Sequence, residues 1–180
     1  LAEASHLVIE SSFLTEGKEI YLFDMGSPMK ILDLAKRMIN LASKAGVDAV
    51  KFQTYSHNQY VSSSQPARLA RVKKFQLSHK NFENLFNYAR KNNLISFSTP
   101  LHQDDINFLK KKTQIIKISS GDLNHHDLLS CAAKTNLPLI ISTGMATIKE
   151  INEALIVVKK TNPKLIKDGK LMLLHCVALY

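Results

Sequence analysis

Two cysteines in 180 residues are too few for a disulfide framework. Cys131 and Cys176 sit in apolar surroundings without metal-ligand spacing, so two reduced core thiols are expected rather than a disulfide or a zinc site. Long apolar runs are also missing, and none approaches the length of a membrane span. The first residues lack the charged, apolar and small-residue succession of a secretory signal, which points to the cytoplasm. Neither GxGxxG nor a Walker loop occurs, so dinucleotide and nucleoside-triphosphate sites are disfavoured. Acidic residues are outnumbered by basic ones, 15 against 24, and the net charge of +9 suggests an anionic partner. The densest clusters are Arg68, Arg71, Lys73 and Lys74, and Lys110–Lys112. They lack interleaved aromatics and any recognition motif, so a solvated face is expected there rather than a nucleic-acid interface.

What is present is a globular composition, 45% hydrophobic and 22% charged, long enough for one sizeable core. A short helix at Ala2–Phe13 and a turn at Glu16-Gly17-Lys18 precede a strand at Ile20–Phe23. After Pro28, apolar spacing marks a helix to Ala45, which Gly46 ends as a C-cap. Strands are then expected at Val47–Phe52, Leu94–Phe97, Ile115–Ile118, Leu139–Ile141 and Leu171–Leu174. Helices separate most of them: one capped by Ser78, others near Asp104–Lys112 and His126–Thr135, and one opened by the Thr147-x-x-Glu150 capping box. Six strands alternating with helices predict a parallel sheet with right-handed crossovers. The fold class is therefore α/β, with a barrel of the (β/α)8 type preferred and left incomplete at six strands. Leu1 is not a methionine and Tyr180 follows a strand directly, so the chain reads as beginning mid-protein and truncated.

The stretch Ile115–Asp122, IIKISSGD, places Lys117 among apolar β-formers and then opens into a small polar loop. Burying an ammonium there costs several kcal/mol unless an anion meets it. An anionic ligand and an edge-strand lysine reaching water are both open. Lys51 repeats the pattern in DAVKFQTY. Gathered at one rim, Lys51, Thr99, Lys117, Ser120, Ser142 and the amides around Gly144 would suit a phosphate or carboxylate. Asp122 reads either as a group that orients a polyol hydroxyl or acts as a general base, or as a carboxylate that caps the helix after Asn124 or faces water. Lys117 reads alternatively as a Schiff-base lysine. His57, His79, His102, His125 and His126 share no ligand spacing and are expected to be solvated, and His175 is expected as a core imidazole.

DAVKFQTY at 48–55, FSTP at 97–100, KISSGD at 117–122, IISTGMAT at 140–147 and LLHCVALY at 173–180 together resemble the sialic acid synthase family, from about Lys36 onward. The family includes N-acetylneuraminate, legionaminate and pseudaminate synthases and spore-coat polysaccharide relatives. The resemblance implies a TIM barrel that condenses phosphoenolpyruvate with an N-acetylmannosamine-like amino sugar. The products are phosphate and a nonulosonic acid, and a divalent metal, manganese or magnesium, takes part. It also implies phosphoenolpyruvate-binding roles for Lys51, Thr99, Lys117, Ser120 and Ser142, with Gln53, Asp122 and Tyr180 beside them. Asp122 stands where the family often has glutamate, and Ala178 where some members have asparagine. The family's catalytic first-strand glutamate has only Asp24, in FDMGSPMK, as a stand-in. By the same resemblance the metal-binding histidines, the last barrel strands and an antifreeze-like domain lie beyond Tyr180. A homo-oligomer is compatible with this reading.

Residues 1–40 resemble instead the carboxyl-terminal part of nucleotide-sugar dehydratases and epimerases of polysaccharide biosynthesis, where a similar FVLDMGEPVKI segment occurs. The expected division is thus 1–40 and 41–180, with a junction near residues 33–45. Two alternatives accompany the synthase reading: a non-catalytic remnant that binds phosphorylated ligands, and a dehydratase-related polysaccharide biosynthesis protein.

Overall fold

The computed structural model describes residues 30–177. The expected helix Ala2–Phe13 and strand Ile20–Phe23, together with Asp24, Ala178 and Tyr180, lie outside the described residues. The chain divides into two compact units, Leu1–Lys30 and Ile31–Tyr180, and the elements below belong to the second.

Helix α1, Ile31–Lys44, ends at Gly46, whose φ of +72° is open to glycine without strain. The Val47 amide reaches Ala42 O and the Gly46 amide reaches Ser43 O, the paired bonds of a Schellman motif. Strand β1, Ala49–Thr54, follows. The connection to the next strand, expected as polar chain, contains two helices, α2 at His57–Tyr60 and α3 at Pro66–Phe75. Pro66 at the start of α3 is the signal that sequence reading passed over. No residue of α3 is buried, so Arg68, Arg71, Lys73 and Lys74 do form a solvated face. Helix α4, His79–Lys91, is capped by Ser78, whose Oγ accepts the Asn81 amide at 3.2 Å. It turns Phe82, Leu85, Phe86 and Ala89 inward.

Strand β2, Ile95–Pro100, leads to helix α5, Gln103–Leu109. Strand β3, Ile116–Ile118, passes through a 3-10 turn at Ser120–Asp122 into helix α6, His126–Lys134. Strand β4, Leu139–Ser142, then precedes helix α7, Ile148–Thr161. A short helix α8, Lys164–Lys167, leads to strand β5, Leu171–Leu174.

All five strands are parallel and lie side by side in chain order, β1-β2-β3-β4-β5. A doubly wound sheet reverses its order at a switch point, whereas a barrel runs in sequence, so this is the order of an incomplete (β/α)8 barrel. The sheet has two unlike faces. Ile116, Ile118, Leu139 and Ile141 are fully buried against Leu128, Leu129 and Ala132 of α6 and Ala154 and Val158 of α7. Nearer β1, the ring of Phe52 meets Phe86 of α4 edge-on at 5.5 Å. Alternation along the strands turns the other set, Lys51, Gln53, Thr99, Lys117, Ile140 and Ser142, to the opposite face.

His175 is exposed rather than a core imidazole, because β5 has a neighbour on one side only among the described residues. Cys131 and Cys176 are free thiols as expected, but both are only half-buried and neither belongs to the core.

The capping box of α7 forms: Thr147 Oγ1 accepts the Glu150 amide at 3.3 Å and Glu150 Oε2 accepts the Thr147 amide at 2.7 Å. The Thr147 amide, helped by Asn124 and the Thr147 hydroxyl, holds the Glu150 carboxyl at about 2. A carboxylate depressed in the folded state adds stability above its ordinary pKa of 4.5 and loses it as pH falls toward 2. Urea unfolding midpoints of the wild type and Glu150→Gln should therefore differ at pH 7 and converge between pH 5 and 2.

Candidate functional site

The carboxyl ends of the strands carry the candidate residues. Lys117 lies on β3, an interior strand, and is half-buried with no ion pair among the described residues. Burial pushes its ammonium below the ordinary lysine pKa, and the neighbouring charge of Lys51 pushes the same way. Asp122 and Cys176 oppose the shift more weakly. Lys51 and Lys117 thus act on each other from one face of the sheet. Lys51 itself is exposed on β1, which has a neighbour on one side only among the described residues, whereas Lys117 is half-buried on an interior strand.

Two hydroxyls stand on the same face without a partner. Thr99 Oγ1 and Ser142 Oγ are buried, each residue 2% exposed, and among the described residues neither forms a hydrogen bond. Such groups are usually satisfied, because leaving one unpaired costs about 1–3 kcal/mol. The hydroxyls of Thr54 and Ser98, on the helix-packed face, do pair with each other at 2.7 Å. A ligand with acceptor oxygens would satisfy Thr99 and Ser142.

Ser120 occupies the meeting point of three loops. Its Oγ accepts the Gly144 amide at 3.0 Å and lies 3.4 Å from Cys176 Sγ. The Gly144 N–H is therefore already used inside the protein, against the expectation that it would face a ligand. Asp122 accepts a hydrogen bond from the Ser119 hydroxyl and does not cap α6, whose N-cap is His125. The cap reading of Asp122 is thus replaced by a carboxylate braced within its own turn.

Beside this cluster, a cleft of about 940 Å³ opens between the loop after β1, with Gln53 and Tyr60, and the loops after β3 and β4, with Ser120, Asp122 and Met145. Of the predicted residues, Gln53, Ser120 and Asp122 line it, while Lys51, Thr99, Lys117 and Ser142 stand on the sheet face outside its wall. Sequence reading missed Cys176, and the HC pair after β5 held the signal. His102 proves structural, its Nδ1 accepting the Asp104 amide at 3.2 Å to cap α5. His79 stacks on Phe108 at 4.0 Å. Among the described residues no three His, Cys, Asp or Glu side chains converge to hold a metal ion. These residues therefore do not by themselves fit the manganese or magnesium that the resemblance implies.

A parallel sheet in barrel order, with helices packed on one face, defines a protein of the barrel class. The chain belongs to the NeuB family, whose sequence profile matches residues 38–180. A second profile, described as polysaccharide biosynthesis protein, matches residues 1–56. The N,N'-diacetyllegionaminic acid synthase of Campylobacter jejuni is 33% identical over 163 residues, covering 83% of this chain and 48% of that protein. Human N-acetylneuraminate-9-phosphate synthase is 28% identical over 145 residues, covering 73% of this chain and 40% of that one. A crystal structure of the sialic acid synthetase of Leptospira borgpetersenii, in complex with citrate, superposes with a TM-score of 0.74 at 35% identity, covering 83% of this chain and 50% of that one. The chain spans about half the length of these relatives, which are synthases of sialic-type acids. Among the described residues no helix is long and apolar enough to cross a membrane.

A Cβ on Gly144 would stand 3.0 Å from Ser120 Oγ, 3.1 Å from Cys176 O and 3.3 Å from Cys176 Sγ, and the carbonyl belongs to the backbone and cannot swing away cheaply. Gly144→Ala should lower stability by about 1–3 kcal/mol in urea unfolding, as overpacking does. Gly121→Ala, where nothing lies within 4 Å, serves as its control and should cost far less.

Proposed function

We propose that this chain forms the phosphoenolpyruvate-holding part of a sialic acid synthase-type barrel. The whole barrel joins phosphoenolpyruvate to an N-acetylmannosamine-like amino sugar, releasing phosphate and giving a nonulosonic acid. The observation that carries this reading is Lys117, half-buried and, among the described residues, without a counter-ion, on one face with Lys51 and two buried hydroxyls that lack partners among those residues. A small polyanion bound there gains charge-assisted bonds from Lys117 and Lys51 and hydrogen bonds from Thr99 and Ser142. These donors are in place before any charge develops, so little reorganisation is needed. Ser120, locked by the Gly144 amide, fixes the loop beside them. Gln53 and Asp122 face the cleft, where the amino sugar would lie, and Ser119 holds the Asp122 carboxylate ready to accept a sugar hydroxyl or its proton.

The same proposal divides the chain near residue 40, with residues 1–40 of dehydratase or epimerase origin and 41–180 of barrel origin. Its support is the overlap of the two profile matches over residues 38–56, running from α1 into β1. Sequencing the gene and its surroundings tests it: an uninterrupted dehydratase-like frame running into residue 1 is expected, and a start codon just before Leu1 counts against it.

Titration calorimetry of the purified chain should show phosphoenolpyruvate binding. Lys117→Met should weaken that binding about 10- to 100-fold, the range for losing one charge-assisted bond. Affinity should also fall as pH rises through the depressed Lys117 pKa, because the ammonium is lost earlier than in free lysine. No binding by the wild type, or equal binding by Lys117→Met, defeats the reading. The lowered Lys117 pKa also favours one rival, a Schiff base between its amine and a keto acid. Borohydride trapping with pyruvate decides between them: an adduct on Lys117 supports the rival, and none is expected.

A further inference from the structure

Cys176 stands in the half-buried floor where the loops after β3, β4 and β5 meet. Its Sγ is 3.4 Å from Ser120 Oγ, and a Cβ on Gly144 would come within 3.3 Å of it, so the sulfur is held between two loops. Strand β5 runs beside β4 with Leu174 in register with Ser142, two residues before Cys176 on the same side. The Ser142 hydroxyl on the neighbouring strand is buried and, among the described residues, has no hydrogen-bond partner, so it is left for a polar ligand to satisfy. Lys117 feels Cys176 as a neighbouring charge, which places an ammonium near the same spot.

We propose that Cys176 is a site of oxidation by hydroperoxides, and that its oxidation closes the adjoining anion site. The Ser120 hydroxyl, 3.4 Å from the sulfur, holds the thiol below the ordinary cysteine range against the opposing effect of burial, and so favours the reactive thiolate. Cys131, the other thiol, is pushed the opposite way by burial on α6. In the reaction the thiolate sulfur attacks one peroxide oxygen, the O–O bond breaks, and hydroxide leaves with the bonding pair. Sulfur is oxidised and the peroxide reduced by two electrons, giving a sulfenic acid. The added oxygen falls among Ser120, Ser142 and Lys117, where it takes the donors that an incoming anion would use. This last consequence rests on the reading of the rim as an anion site, whereas the oxidation itself does not.

The full chain, treated with hydrogen peroxide at pH 7 and trapped with dimedone, allows both thiols to be followed in the same molecules by peptide mass spectrometry. Cys176 should be labelled about tenfold faster than Cys131 or more. Equal labelling, or faster labelling of Cys131, overturns the proposal. Peroxide should also weaken phosphoenolpyruvate binding by about tenfold or more in the wild type. It should have no such effect in Cys176→Ala. Unchanged binding after Cys176 is oxidised overturns the closure. A chain that binds no phosphoenolpyruvate before treatment sinks the functional reading alone, and the labelling ratio still decides the oxidation.

Discussion

The ammonium of Lys117 sits on an interior strand of a parallel sheet with nothing of opposite charge paired to it among the described residues. Burial and the nearby Lys51 both work against its charge, while Asp122 and Cys176 offset only part of the cost. Folding alone gives no return for such a position. A bound polyanion does, because it neutralises the two cations and at the same time supplies acceptors for the idle hydroxyls of Thr99 and Ser142. The contrast with Thr54 and Ser98, which satisfy each other across the helix-packed face, shows that the sheet can pair its own hydroxyls where no ligand is served.

The rim is held by a second feature, the junction of Ser120, Gly144 and Cys176. One hydroxyl there ties the turn after β3 to the loop after β4 and touches the segment after β5. A side chain at 144 would press on the Ser120 hydroxyl and on the Cys176 carbonyl and sulfur, so the junction is tightest with glycine there. The loop continues through Met145, which adopts a φ of +63° and is 89% exposed at the edge of the cleft. A bulky residue in the left-handed region is uncommon, and it marks this loop as shaped by the site more than by local preference.

Strand β5 shows what the described sheet leaves uncovered. Met172, Leu173 and Leu174 are 42%, 48% and 45% exposed, on both faces of a strand with a partner on one side. Apolar residues on both faces belong to a strand inside a parallel sheet, flanked by neighbours and covered by helices. A solved relative shares the arrangement of these strands over a stretch equal to half of its own chain.

Much of this molecule was decided by local pattern. Period-two and helical spacing, the Gly46 cap, the Ser78 cap and the Thr147–Glu150 box placed every described strand and the principal helices, and five strand-end motifs identified the family. The helices α2 and α3 escaped because their short, polar turns contain no buried residue that a hydrophobic pattern could register. Pairing decided the rest. Which hydroxyls remain without partners, that the Gly144 amide is spent on Ser120, and that Cys176 lies against Ser120 from 56 residues away are consequences of strand register. Register depends on how separate segments come to lie side by side, and nothing in the residues around Ser142 or Cys176 announces which distant atom will stand within 3.5 Å of them.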